Sequence, residues 1–254
     1  MNFNEFVNLD DAIFHYTDTI IFFEHILPEM KLRLSPLENM NDPTEYKKPL
    51  FTYMSYGSSK YDRTLLKKAE TRLNELKLRM CKIACFCSNV KESTKGYLKA
   101  RMWTQYGDNH KGVCLVFSKK AINSLINKNY KFEKVKYDIP FPLADFEIEY
   151  GELKHQGINP YFEYYFEKMY KKIFFAKVTD YRDESEYRLL KRMKNKNITF
   201  DYIDIRSCLE GVIIGDKCHQ VYNHIFDHIR KVDHLELIRC KFNPLSGLLE
   251  IEPY

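Results

Sequence analysis

The chain has 254 residues and a mass of 30.5 kDa, and its 44% hydrophobic and 15% aromatic content excludes a disordered chain and supplies a sizeable core. Nine Gly and nine Pro exclude a low-complexity protein, and no apolar run approaches the roughly 20 residues of a membrane helix, so the expected localisation is cytoplasmic. A net charge of +5 is mild, and seven irregularly spaced cysteines fit reduced thiols better than a disulfide framework.

In chain order, Phe14 to Thr17 reads as a strand end, followed by a helix through Ile20, Ile21, Phe22, Phe23 and Ile26 that stops at Pro28. Lys31 to Ser35 alternates as a strand, and Pro36 and Asn41-Asp42-Pro43 break the chain into a loop. The segment from Lys60 to Lys82 holds Lys60, Arg63, Lys67, Lys68, Arg72, Lys77, Arg79 and Lys82 against only Asp62, Glu70 and Glu75. Leu65, Leu66, Ala69, Leu73, Leu76 and Met80 recur there at helical spacing. The pattern predicts an amphipathic helix with a basic outer face, either a solvated surface or a ridge for nucleic acid.

Lys82 to Ser88 sets Ile83, Cys85 and Cys87 on one side and Ala84 and Phe86 on the other, a strand buried on both faces. Met102 to Phe117 then joins a helix end carrying the only tryptophan, a Gly107-Asp108-Asn109-His110 turn and an apolar strand. Such a sequence of elements places side chains at the mouth of a pocket. Ser118 caps a short helix with Ile122, Leu125 and Ile126, and Tyr161 to Phe175 is an aromatic-rich helix. Glu186 to Lys191 and Gly211 to Ile214 read as strands, Gln220 to Arg230 as a helix, and Leu235 to Cys240 and Leu248 to Ile251 as closing strands. Strands and helices mix without regular βαβ alternation or internal repeats. The expected architecture is therefore a single α+β domain over 1–254, mixed but mainly antiparallel, with a helical excursion at about 58–81.

Several blocks resemble a known family. Phe14-His15-Tyr16-Thr17 and Leu34-Ser35-Pro36-Leu37-Glu38-Asn39-Met40-Asn41-Asp42-Pro43-Thr44-Glu45 come first. Cys85-Phe86-Cys87-Ser88, Met102-Trp103 through Tyr106, His110-Lys111-Gly112-Val113-Cys114 and Glu184-Ser185-Glu186-Tyr187-Arg188 follow. Together they resemble the bacterial family catalogued as domain of unknown function 2971, collinearly from about residue 14 to Gly215. More distantly, a His-x-Thr-like first strand, a middle Ser or Tyr and a late Glu-x-Glu before a strand are similar to the layout of ADP-ribosyltransferase folds. That likeness implies NAD as co-substrate, a split sheet, and a role in toxicity or defence.

Under this resemblance His15 would hold a ribose, with Tyr16 and Thr17 shaping the strand end. Ser88 or Tyr106 would face the nicotinamide. Glu186 would be the catalytic carboxylate and Glu184 the group that activates an acceptor. A carboxylate suits the reaction because breaking the nicotinamide bond builds positive charge on the sugar, which a fixed anion stabilises in the transition state.

Each residue also has a plainer explanation. His15 can be satisfied by a backbone carbonyl, Asp42 can cap a turn, and Glu186 and Arg188, two apart on one strand face, can form an ion pair. Trp103 suits the core or a pocket wall, and His110 can either serve a site or fix its loop. Asn41 and Glu45 complete the candidates. Cys81, Cys85, Cys87, Cys218, His219, His224 and His228 lack zinc-site spacing, so no metal is expected. Two functional readings remain. One is an NAD-dependent ADP-ribosyltransferase or glycohydrolase with an unknown macromolecular acceptor. The other is a non-catalytic nucleic-acid or protein-binding module using Lys60–Lys82 and the run Lys191 to Lys196.

Overall fold

The computed structural model describes residues 2–47, 60–90, 95–139, 148–195 and 197–254. Twelve strands follow one another: β1 (Ala12–Thr17), β2 (Lys31–Pro36), β3 (Cys81–Ser88), β4 (Val113–Ser118), β5 (Tyr130–Lys134), β6 (Lys136–Ile139), β7 (Ala176–Val178), β8 (Glu186–Arg192), β9 (Asp201–Asp204), β10 (Leu209–Ile214), β11 (Glu236–Asn243) and β12 (Leu248–Pro253). Those with continuous apolar sequences, β1, β3 and β4, are buried along nearly their whole length, as strands covered on both faces must be.

The main sheet runs β12-β11-β10-β4-β1-β3-β2-β9, with β8 and then β5 branching from β3, while β6 and β7 pair separately. Within it only β10 and β11 are parallel. The architecture is α+β with a mainly antiparallel sheet and flanking helices.

The branch at β3 organises the molecule. One edge of β3 pairs with β8 continuously from Cys81 to Cys87. A strand has only two edges, so β1 and β2 must share the other. β1 takes its C-terminal end, through Ile13↔Ser88 and Phe14↔Cys87, and β2 its N-terminal end, through Ser35↔Ile83 and Pro36↔Lys82. Between them the sheet forks, opposite Ala84 to Phe86.

Three apolar clusters surround the fork. Ile13, Phe86, Leu115, Val212 and Phe226 pack on one face of the sheet, and Phe14, Tyr16, Trp103, Val116 and Ile213 on the other. The third joins Leu66, Ala69 and Leu73 of the Arg63–Glu75 helix to Tyr161, Tyr165 and Phe166 of the Ile158–Phe174 helix.

Two expectations need correction. The helix expected to stop at Pro28 runs from Thr19 to Glu29, through a π-turn at Phe22–Ile26, and ends where Met30 turns left-handed at φ 50. Pro28 follows directly on the π-turn, and the helix continues only one residue beyond it. The basic helix is also shorter than Lys60–Lys82: Arg63–Glu75 continues as a π-turn to Met80, and Cys81 already begins β3. Lys77 and Lys82 are buried, so both leave the proposed basic face. Residues 58–59 of the expected excursion lie outside the described residues, and its helical part packs against the aromatic helix.

Candidate functional site

A cavity of about 160 Å³ opens in the fork. β1 contributes His15 and Tyr16, and the segment after β2 contributes Asn41, Asp42 and Glu45. Cys85 and Cys87 line it from β3, Tyr106 from the Ala100–Tyr106 helix, Lys177 from β7, Glu184 from the turn before β8, and Glu186 and Arg188 from the start of β8.

The fork explains why His15 points here. Continuing the ladder would have paired β1 with β3 beyond Phe14, but the strands part, and His15 Nδ1 lies 2.8 Å from the Cys85 carbonyl oxygen. That oxygen can only accept, so Nδ1 carries the proton and Nε2 keeps its lone pair. Burial lowers the imidazole pKa, outweighing the Cys85 bond, and the ring is neutral at pH 7. Tyr16 donates its hydroxyl to Gly96 O at 2.6 Å and meets Trp103 edge-on at 5.0 Å between ring centres.

Glu186 and Arg188 sit opposite Cys87 and Cys85 in the β3–β8 ladder, so their side chains emerge on one face. Ser185 takes a left-handed conformation, φ 48, where the 3-10 turn Thr179–Glu184 gives way to β8. This is uncommon for a residue other than glycine. The Ser185 carbonyl is held by Ser88, which donates its backbone N–H at 3.0 Å and its hydroxyl at 2.8 Å.

The charges form one buried network. Arg188 grips Glu186 through Nε at 2.6 Å and Nη2 at 3.0 Å, and Glu45 through Nη1 at 2.6 Å and Nη2 at 3.0 Å. Its Nη1 also donates to Phe174 O at 2.8 Å. Lys177 Nζ lies 2.8 Å from Glu184, 3.5 Å from Glu186 and 3.7 Å from Glu45. Four carboxylates, counting Asp42, therefore face two cations around the cavity. In this desolvated setting Arg188 matches Glu186 and Glu45 with charge-assisted hydrogen bonds, and Lys177 matches Glu184.

Glu184 and Glu186 have opposite settings. Burial raises the pKa of Glu184, and neighbouring Lys177 only partly offsets it. Burial would also raise Glu186, but Arg188 and Lys177 overcome it and hold the carboxyl well below the usual range. Tyr106 donates to Glu184 Oε1 at 3.4 Å, and its phenol is pushed up by burial and by Glu184. The Cys85 thiol is likewise raised by burial and Glu186, so it is protonated and unreactive at neutral pH.

Asp42 caps the Pro43–Tyr46 turn: its Oδ1 accepts from Thr44 N at 2.8 Å and Thr44 Oγ1 at 2.7 Å. Its Oδ2 is buried without a hydrogen-bond partner among the described residues, an unusual state for a carboxylate oxygen.

Four candidates stand apart from the cavity lining. Ser88 is buried and spends its hydroxyl on Ser185 O, which leaves Tyr106 as the middle residue facing the cavity. Thr17 is buried at the end of β1, opposite Val113. Trp103 is fully buried and donates its indole N–H to Tyr97 O at 2.8 Å. His110 stacks on Trp103 and lies 3.4 Å from Thr104 Oγ1, in a loop where Asp108, Asn109 and His110 all have positive φ. The plain roles foreseen for His15, Asp42, Glu186, Arg188 and Trp103 are all present, and the first four of these also line the cavity.

The residue that sequence reasoning passed over is Lys177. Its signal was a single cation inside the apolar run Phe174-Phe175-Ala176-Lys177-Val178, which has to be paired once buried. Of the second basic run, Lys191 pairs with Asp201 and Arg192 with Glu163, while Lys196 lies outside the described residues. All seven cysteines are free, and among the described residues no three His, Cys, Asp or Glu side chains converge as metal ligands. Nor is any described helix long and apolar enough to cross a membrane.

Residues 102–189 match the model of a family described as protein of unknown function (DUF2971). The match runs from the tryptophan-bearing helix through most of β8. It includes Tyr106, Lys177, Glu184, Glu186 and Arg188 but not His15 or Asn41 to Glu45. No curated protein and no solved structure matches the chain.

Proposed function

We propose that the forked cavity cleaves the N-glycosidic bond between nicotinamide and ribose in NAD, transferring the ribosyl group to water or to a macromolecular acceptor. The observation that carries this reading is the pair Glu184 and Glu186, two residues apart on one cavity wall and electrostatically opposite. Glu186, held ionised, supplies the fixed anion. Glu184, with its raised pKa, supplies the acid–base group.

The bond chemistry balances on these two groups. The C1′–N bond breaks, its electron pair leaves with nicotinamide as the neutral base, and positive charge develops on the ribose. The surplus of carboxylates over cations stabilises that charge more than the ground state. The acceptor hydroxyl then bonds to C1′ and gives its proton to Glu184. Neutral His15 offers Nε2 to a ribose hydroxyl, and the Tyr106 ring walls the base.

A cavity of about 160 Å³ holds on the order of ten waters. On this reading the nicotinamide ring enters the cavity, the ribose sits at its mouth and the rest of the dinucleotide stays outside. The test is nicotinamide release from NAD by the parent and by Glu186→Gln, with and without DNA, RNA and cell lysate. Release by the parent, lost in a variant that still melts cooperatively, supports the reading, and dependence on an additive identifies the acceptor class. No release under any condition rejects it.

A further inference from the structure

On the other side of the Asp183–Glu186 segment lies a more open cavity of about 580 Å³ with the opposite charge. Four cations line it, Lys99, Arg101, Lys134 and Arg182, with Asp183 as its one carboxylate. The two cavities share this wall residue by residue: Asp183 and Ser185 face the basic one, Glu184 and Glu186 the acidic one.

Arg101 bridges them. Its Nε lies 2.6 Å from Asp183 Oδ2, and its Nη2 lies 2.7 Å from Asp183 Oδ1 and 3.4 Å from Glu184 Oε1. Lys99 Nζ donates to Asp183 O at 2.6 Å, which fixes its head at the cavity wall. Tyr137, also in the lining, accepts at its hydroxyl from Glu186 N–H at 2.9 Å.

Asp183 thus engages two cations, one through its carboxylate and one through its carbonyl, while the side chains of Lys134 and Arg182 make no hydrogen bond or ion pair with the described residues. Like charges collected in one concavity repel one another unless an anion joins them. A guanidinium beside an ammonium is the donor set that phosphate oxygens take.

We infer that this basic cavity is a binding site for the phosphate groups of a small phosphorylated ligand, with Arg182 and Lys134 as its principal contacts. This anion site stands independently of the glycosidic reading.

The experiment is a phosphorus NMR titration of inorganic pyrophosphate against the parent chain and the double variant Lys134→Gln/Arg182→Gln. Both substituted side chains are solvent-exposed, so the variant retains its fold. The expected results are saturable binding by the parent that weakens as salt is raised, and at least tenfold weaker binding by the variant. Equal binding by both proteins, or none by the parent, overturns the site. Tighter binding of a single-stranded oligonucleotide than of pyrophosphate overturns its assignment to a small ligand. Pyrophosphate binding without nicotinamide release would reject the glycosidic reading and keep this site. Nicotinamide release without saturable pyrophosphate binding by the parent would do the reverse.

Discussion

At the scale of single residues, the buried ion network dictates the consequences of substitution. Arg188 is the hub, holding Glu186 and Glu45 with two bonds each. Replacing it with methionine leaves two buried carboxylates without their main partner, and we expect a loss of about 3–5 kcal/mol, measured by urea denaturation. A loss below about 1 kcal/mol would mean that the network is open to solvent. Glu186→Gln removes one charge from the same pair, so its activity is interpretable only beside its melting temperature.

The two glutamates should also give opposite pH signatures. Glu186 has a folded pKa below its ordinary value of 4.5, so its stabilising contribution is complete above about 4.5 and is lost as pH falls towards the folded value. Glu184 has a raised folded pKa; its contribution is complete below about 4.5 and is lost as pH rises through that higher value. Comparing the parent with Glu184→Gln across this range should show the variant gaining relative stability as pH rises. Parallel curves would contradict the assignment.

At the scale of elements, the fork depends on β1 being anchored firmly at both ends. Its C-terminal end leans on a glycine pair: Gly215 N–H donates to Gly112 O at 3.0 Å, and a Cβ at Gly112 would stand 2.2 Å from Thr17 O. That neighbour is backbone within the β1–β4 ladder and cannot swing aside. Gly112→Ala should therefore cost about 1–3 kcal/mol or more in thermal or chemical denaturation. A neutral effect would show that the strand end yields freely and that the cavity wall is correspondingly soft.

The elements also show which parts of the fold a sequence displays. β1, β3, β4 and β10 were legible because burial on both faces demands unbroken apolar runs. β5 and β9, Tyr-Lys-Phe-Glu-Lys and Asp-Tyr-Ile-Asp, were not, because they mix charged and aromatic residues and become strands only by pairing with β8 and β2. The π-turns at Phe22–Ile26 and Leu76–Met80 leave no mark in hydrophobic spacing either.

At the scale of the whole molecule, the site is a product of topology. His15, Tyr106, Glu184 and Glu186 could each be singled out by side-chain chemistry, since they are the groups able to bind a sugar hydroxyl, flank a ring or move a proton. Their meeting could not be read, because it requires β1 and β2 to divide one edge of β3. That is a long-range arrangement with no local signature. The same limit hid Lys177, whose three carboxylate neighbours come from the segment after β2, the turn before β8 and the start of β8. It also made the basic segment look more exposed than it is: Lys77 and Lys82 carry the right charge but point inward.

If the acidic fork cleaves a nicotinamide N-glycosidic bond, Glu184 is its proton acceptor. The direct measurement is the pH profile of nicotinamide release from NAD, for the parent and for Glu184→Gln, with folding of both verified. The expected result is an acidic limb displaced above 4.5 in the parent, and about 100-fold or more slower release without that limb in the variant. Release that is absent in the parent, or equal in rate and pH dependence in the two proteins, would contradict it.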